Sequence, residues 1–116
     1  MDKRRVVISG IGLVTPLGLG QSKNWNDLIS GNSGINSLNS FDASDLSCRI
    51  GGEIPSGPYS EGKLDLNEWL NIKELRKIDR FIMLGLVAAA EAIKDSDIEI
   101  SNEEISKKTR VIIGSC

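Results

Sequence analysis

Two short runs of β-branched residues, one near each end of the chain, constrain the fold more than any other feature of the sequence. The first is Val-Val-Ile at residues 6–8, and the second is Val-Ile-Ile at 111–113, within residues 109–115. Neither run alternates apolar and polar side chains, which is typical of strands buried on both faces of a parallel sheet. Because a long helical segment separates the runs, we predict an α/β fold with two parallel core strands joined by a right-handed helical crossover.

A glycine-rich turn follows the first predicted strand. Gly10, Gly12 and Gly18 permit close approaches or backbone conformations that a Cβ would block. A dinucleotide-binding turn of the form G-x-G-x-x-G would need glycine where this chain has Thr15, and the following Pro16 ends strand pairing. The pattern therefore favours a scaffold strand with a glycine-rich exit and no chemistry of its own. A nucleotide-binding module is the alternative.

Composition limits the possible classes of function. A chain of 116 residues holds at most one modest domain, and its net charge of −2 gives no reason to expect nucleic acid or an anionic membrane as partner. No stretch approaches the length of a membrane span. Cys48 and Cys116 form neither a metal-binding spacing nor a disulfide framework, so we expect a cytoplasmic protein without a metal or cofactor.

The sequence contains no histidine, the residue that most often performs acid–base chemistry near neutral pH. Cys116 is the last residue, with no following helix to lower its pKa and no imidazole to act as its base. We therefore assign this chain no catalytic residue.

Residues 20–54 are predicted to form a short helix, a loop and a strand. Trp25, Leu28 and Ile29 make one apolar stripe on a helix that Gly31 would cap. The polar composition of residues 32–42 is typical of a surface connection. The even spacing of apolar residues over 46–54 predicts a half-buried strand with Cys48 on its apolar side, within a peripheral excursion that covers residues 46–64.

Residues 66–95 have helical periodicity and are predicted to form a short helix followed by a longer one. Apolar or small residues recur every three or four positions, and further apolar residues widen this surface. The longer helix should therefore pack on more than one side. The predicted stripe consists of Leu75, Ile78, Ile82, Gly85, Ala89 and Ala92-Ile93.

A basic stripe lies on the opposite face of the same predicted helices. Lys73, Arg76, Lys77 and Arg80 follow the spacing i, i+3, i+4 and i+7. Such a run is either a solvated helix face or a docking patch for an acidic partner.

Three stretches together resemble the β-ketoacyl-acyl-carrier-protein synthases, condensing enzymes of the thiolase superfamily, and in particular the type II synthase of bacterial fatty acid elongation. The stretches read R-R-V-V-I-S-G-I-G-L-V-T-P-L-G from residue 4, the spaced Trp, Leu-Ile, Gly, Ser-Gly-Ile and Phe-Asp of residues 25–42, and I-K-E-L-R-K-I-D from residue 72. The resemblance implies a thiolase-like layered α/β fold with a peripheral strand. It also implies that Lys73, Arg76 and Lys77 contact the acidic acyl carrier protein.

The resemblance covers essentially the whole chain but only about the first quarter of such an enzyme. It implies a decarboxylating Claisen condensation by a cysteine and two histidines that lie further along. We therefore expect residues 1–116 to be a truncated N-terminal part of a synthase domain, inactive alone and poorly soluble. Its other partners would be the remainder of the synthase or a second copy. A non-catalytic carrier-binding fragment and a polyketide ketosynthase relative are the alternatives.

Overall fold

The computed structural model describes residues 3–115. The strands and helices are short apart from one helix of 17 residues, and no described helix is long and apolar enough to cross a membrane. The elements are β1 (Val14–Thr15), β2 (Gly18–Leu19), α1 (Gln21–Ile29), β3 (Ile35–Ser37), β4 (Ile50–Gly52), 3₁₀ turns at Tyr59–Glu61 and Leu66–Glu68, α2 (Ile72–Leu75), α3 (Arg80–Ser96) and α4 (Glu103–Lys108).

The glycine-rich turn closes as a hairpin. β1 and β2 pair antiparallel, with Thr15 opposite Gly18, and Gly18 has a φ of 128° that a side chain would strain. Asn24 of α1 is buried beneath this hairpin, and its amide donates hydrogen bonds to the carbonyl oxygens of Gly18 and Gly20 at 3.0 and 2.8 Å. The side chain of Asn24 therefore fixes α1 to the hairpin that precedes it.

A second antiparallel pair lies at the periphery. Ile35 is opposite Gly52, and Ser37 is opposite Ile50. The strand predicted over residues 46–54 is thus confirmed only at Ile50–Gly52. Its partner β3 lies inside the segment that composition assigned to a loop. Cys48 is exposed, so the prediction of a buried thiol is wrong, because the strand begins two residues after it.

The core is small and joins the hairpin to α3. Leu19, Leu64 and Val87 are its buried members, with exposed fractions of 2%, 5% and 1%. Leu64 is the last residue of the segment 46–64 that was expected to be peripheral. The prediction is wrong at this residue, because Leu64 is part of the core. Partly buried side chains surround the three: Val14, Ile54, Tyr59, Leu66, Trp69 and Leu84.

The first segment of the chain lies directly against α3. A Cβ on Gly12 would overlap the carbonyl oxygen of Ala88 and come within 2.7 Å of the backbone nitrogen of Ala92. The backbone N–H of Ile11 donates to Oδ2 of Asp95 at 2.9 Å. The close approach predicted for Gly10 and Gly12 is therefore confirmed, since no side chain fits between these backbones.

The expected pair of parallel core strands is not formed in the described structure. Residues 6–8 and 111–113 carry no strand pairing, and their side chains are between 71% and 94% exposed. A strand buried on both faces requires neighbouring strands and covering layers, and residues 3–115 do not supply them. The coarser expectation of an α/β architecture agrees with the mixture of helices and strands.

The predicted helices are present, but the apolar stripe predicted on α1 is exposed. The short and long helices are present as α2 and α3, and Gly31 has the φ of 74° expected of a helix cap. The stripe of Trp25, Leu28 and Ile29 falls on α1 as predicted, yet each side chain is more than 60% exposed. α4 was not predicted from the sequence, and Asn102 caps its start.

The buried face of α3 agrees only in part with the prediction: Ala92 of the stripe lies against Gly12, and Val87 is one of the further apolar residues expected to widen the surface. Val87 and Glu91 are buried, whereas Ile82 and Ile93 of the predicted stripe are 39% and 43% exposed. α3 is apolar on most of its circumference, so periodicity alone did not identify which side meets the core. Phe81 on the outer side is 60% exposed.

The chain exposes far more surface than a compact protein of its size. Its accessible area is 9455 Å², whereas a folded monomer of this mass has about 6,200 Å². The radius of gyration is 17.2 Å, against about 13 Å for a compact domain of this length. Much of the apolar surface therefore has no partner within residues 3–115.

Candidate functional site

The candidate site is the segment around α2 that carries the predicted docking residues. Asn71 begins α2 with a capping box: its Oδ1 accepts from the N–H of Glu74 at 3.0 Å, and Oε2 of Glu74 accepts from the N–H of Asn71 at 3.3 Å. The carboxylate of Glu74 is thereby held at the helix start. Although Glu74 lies between Lys73 and Arg76 in sequence, its carboxylate binds the backbone N–H of Asn71.

The three predicted docking residues are brought together by this short helix. Lys73 lies within α2, Arg76 is its C-cap residue, and Lys77 continues the turn with its N–H bonded to the Glu74 carbonyl at 2.9 Å. Residues spaced by three and four positions share one face of such a turn. All three side chains are exposed.

Arg80 does not continue the same helix. α2 ends at Leu75 and α3 begins at Arg80, after the N-cap Asp79. The expectation of one unbroken stripe of two helical turns is therefore wrong, because the connection between the helices redirects the chain. Arg80 is exposed at the first position of α3.

The basic residues of this segment are free of ion pairs within the described structure. The ion pairs found between residues 3 and 115 lie elsewhere: Lys23–Asp27, Lys63–Glu61, Lys107–Glu103 and Lys108–Glu104. Residues 72–80, with four basic and two acidic side chains, thus carry a net positive charge on a protein whose net charge is −2. Such a surface can attract an acidic partner and speed its association.

A second polar group, not predicted from the sequence, lies between α3 and the first 3₁₀ turn. The Tyr59 hydroxyl donates to Oε1 of Glu91 at 2.7 Å, and this bond, followed by burial, raises the pKa of Tyr59 above 10. Lys94 Nζ lies 5.5 Å from the centre of the Tyr59 ring. A sequence signal did exist, since Glu91 is the one charged residue between Phe81 and Ile93.

This polar group contributes to a concave pocket of about 580 Å³. Its lining combines carboxylates, ammonium groups and the phenol of Tyr59. Glu91 is 94% buried and connects two elements, so its evident role is structural. No set of His, Cys, Asp and Glu residues with metal-binding geometry exists among residues 3–115.

The glycine-rich turn lacks the features of a phosphate site. The N–H of Leu17 donates to Oγ1 of Thr15 at 3.1 Å, and the N–H of Leu19 donates to the Gly62 carbonyl at 2.9 Å. The Gly20 N–H donates to the Leu13 carbonyl at 2.9 Å. These donors are therefore not free to cradle a phosphate, which disfavours the nucleotide-binding alternative.

The described part of the chain holds no candidate nucleophile with an activating partner. Cys48 is exposed, and its thiol contacts the Ile50 carbonyl at 3.5 Å. The interpretation of Cys116 as non-catalytic concerns a residue outside the described range.

Comparison with known proteins gives one family. A family model described as "Beta-ketoacyl synthase, N-terminal domain" matches residues 3–116. Similar curated proteins include "3-oxoacyl-[acyl-carrier-protein] synthase 2" of Rhizobium meliloti (strain 1021), 38% identical over 97% of this chain and 27% of the relative. The protein of the same name from Vibrio harveyi is 37% identical over 99% of this chain and 26% of the relative.

A solved structure shares the fold. "The ishigamide ketosynthase/chain length factor" aligns with a TM-score of 0.72 and 23% identity, over 87% of this chain and 23% of that chain. The chain spans about a quarter of the length of the curated relatives it matches.

Proposed function

Because this chain belongs to the β-ketoacyl synthase family, matched over the N-terminal domain, we propose that it is the N-terminal part of a 3-oxoacyl-[acyl-carrier-protein] synthase 2 of fatty acid biosynthesis. The names and identities of the curated relatives support this proposal. They also favour fatty acid synthesis over the polyketide alternative.

The proposed reaction is the condensation that the resemblance implies. An acyl chain passes from its carrier thioester to a cysteine thiolate, a malonyl thioester loses carbon dioxide, and the resulting carbanion attacks the acyl-enzyme and releases the thiolate. This reaction requires a cysteine and two histidines, and the 116 residues contain no histidine. We propose that this part of the protein supplies scaffold and a docking surface and does not perform the condensation alone.

The observation that carries the docking role is the free charge around α2. Lys73, Arg76 and Lys77 are exposed and have no carboxylate partner within the described residues, while Glu74 is held in the capping box. Charges at the rim of an interface mainly raise the association rate and make binding salt-dependent. The partner proposed for this surface is the acidic acyl carrier protein.

The test is a titration of fluorescently labelled acyl carrier protein with the 116-residue chain at low micromolar concentration. We expect salt-sensitive binding that Lys73→Glu and Arg76→Glu each weaken, by about three- to tenfold. Lys107→Glu is the matched control, because Lys107 is an exposed lysine of α4 outside the proposed surface. Equal binding by all variants would contradict the docking role.

Intact-mass analysis after incubation with acyl-carrier thioester tests the absence of catalysis. A stable acyl adduct on Cys48 or Cys116 would contradict it, and unmodified protein supports a scaffold.

The finer features of the family fold are part of the same proposal. We propose that residues 6–8 and 111–113 pair as parallel strands in the complete cytoplasmic enzyme, which would account for their exposed β-branched side chains here. The rest of the synthase or a second copy would cover the outer face of α3.

A further inference from the structure

We infer that Arg80 is a further docking residue, so that the acidic partner contacts the first turn of α3 as well as α2. This inference rests on the proposed carrier-docking function. It adds a contact on α3, a different helix from the one that carries the three predicted docking residues.

The first supporting observation is the position of Arg80. It lines two concave surfaces, of about 890 and 290 Å³. Ser56 also lines both, and the remaining side chains of the larger one include Asn36, Asn39 and Ser40. Arg80 therefore lies on a surface of mixed character, where apolar side chains such as Leu84 lie beside hydroxyl and amide groups that can add hydrogen bonds to a bound partner.

The second observation is that the acids lining these surfaces bind backbone groups. Glu53 accepts from the N–H of Asn39 at 2.9 Å and from the N–H of Ser40 at 2.8 Å. Asp65 accepts from the N–H of Asn67 at 2.9 Å. Neither carboxylate forms an ion pair with Arg80 in the described structure, although both lie on the surfaces that it lines.

The third observation is continuity with the charge around α2. Residues 72–80 contain four basic residues and two acids, and one of those acids, Glu74, is held in the capping box. An arginine with free donors can bind a carboxylate through two parallel hydrogen bonds. Arg80 follows Lys77 by three residues, so their Cα atoms are at most about 11 Å apart. One acidic surface of the carrier can therefore reach both residues.

The experiment uses the same carrier titration at two salt concentrations. Arg80→Glu is expected to raise the dissociation constant by about three- to tenfold and to reduce the salt dependence, and Arg80→Gln to have a smaller effect of the same sign. Misfolding is not expected to explain a loss, because an acid in the first turn of a helix favours its dipole. The far-ultraviolet circular dichroism of each variant checks this.

Arg110→Glu is the matched control, since Arg110 is an exposed arginine beyond α4 and should leave binding within about twofold. If Arg80→Glu binds like the unaltered chain while Lys73→Glu and Arg76→Glu bind weakly, the docking surface ends at α2. The inference is then wrong and the proposed function stands. If none of the three variants differs from the unaltered chain, both are wrong.

Discussion

The hydroxyl of Tyr59 donates a 2.7 Å hydrogen bond to the carboxylate of Glu91, and this bond joins a 3₁₀ turn to α3 across 32 residues of sequence. Tyr59 also meets Trp69 edge to face, with ring centres 5.2 Å apart and planes at 87°. The pair lies beside the small core, in which Leu19 and Val87 are almost completely buried. This hydrogen bond therefore fixes how the 3₁₀ turn and α3 are oriented beside a core of few side chains.

We expect Tyr59 to ionise at higher pH than an ordinary tyrosine. The phenol donates a hydrogen bond to the Glu91 carboxylate and keeps its proton, and burial adds to this effect. Both favour the neutral phenol in the folded state and raise the pKa of Tyr59. The stabilisation from this bond is complete below about pH 10, the pKa of an unfolded tyrosine. It is lost as pH rises through the higher folded pKa.

Absorbance at alkaline pH measures this directly, because Tyr59 is the only tyrosine of the chain. Glu91→Gln should lower the Tyr59 pKa towards its ordinary value, while Glu104→Gln, on the exposed α4, should leave it unchanged. An ordinary tyrosine titration in the unaltered protein would show that the bond is absent in solution.

Replacement of Gly12 by alanine should loosen the contact between the first segment and α3. The added Cβ would overlap the Ala88 carbonyl oxygen, at a cost of about 1–3 kcal/mol. Amide hydrogen exchange in the middle of α3 should accelerate accordingly, by about five- to 150-fold.

Gly85→Ala is the matched control, because no atom lies within 4 Å of a Cβ built on Gly85, apart from its chain neighbours and the nearby backbone of α3. Alanine there should stabilise α3 by about 0.5–1 kcal/mol, since glycine is a poor helix former. Faster exchange in Gly85→Ala than in Gly12→Ala would contradict the packing of the first segment on α3.

Asn24→Ala should release α1 from the hairpin. The change removes two donors from the Gly18 and Gly20 carbonyls and the acceptor of the Thr15 hydroxyl, in a side chain only 7% exposed. A loss of about 1–3 kcal/mol in local stability is expected, measured by hydrogen exchange in β2 and α1. Asn26→Ala, at an exposed position of the same helix, should change exchange little. If both variants behave alike, the buried amide does not fix the helix.

The chain should associate through its uncovered apolar surface. Phe81 is 60% exposed on the outer face of α3, and exposed apolar patches of this kind favour aggregation or partner binding. We expect strong binding of an apolar fluorescent dye, and self-association in sedimentation. Phe81→Lys should reduce both without loss of helix, whereas Val87→Lys should unfold the core, because Val87 is 1% exposed. A monomer with a sharp thermal transition would contradict this expectation.

The sequence predicted those structural features that depend on residues close together in the chain. The presence of α1, the order of a short and a long helix within residues 66–95, the glycine cap at Gly31 and the close approach of Gly12 to another backbone all followed from the types of residue and their spacing. The free charge of Lys73 and Arg76 was also foreseen as a surface property. These features depend on a few neighbouring residues, so sequence suffices for them.

Features that depend on distant partners were predicted less well. The buried face of α3 is decided by Leu19 and Leu64, which arrive from other elements, and the bond from Tyr59 to Glu91 depends on the path of an intervening loop. The run at 6–8 has strand propensity but lies exposed, since strand formation requires a neighbouring strand to pair with. Propensity alone therefore does not determine structure at these positions.

The packing of residues 10–12 on α3 also has a consequence for synthesis on the ribosome. The N–H of Ile11 and its acceptor Asp95 are 84 residues apart in sequence. At synthesis rates of about 5–20 residues per second, Asp95 is therefore added roughly 4–17 s after Ile11. During that interval the segment around Gly10 and Gly12 has no helix to pack against, and the Val-Val-Ile run before it stays exposed, as it does in the described structure. We therefore expect nascent chains of this protein to bind chaperones that recognise short apolar stretches at the exit tunnel.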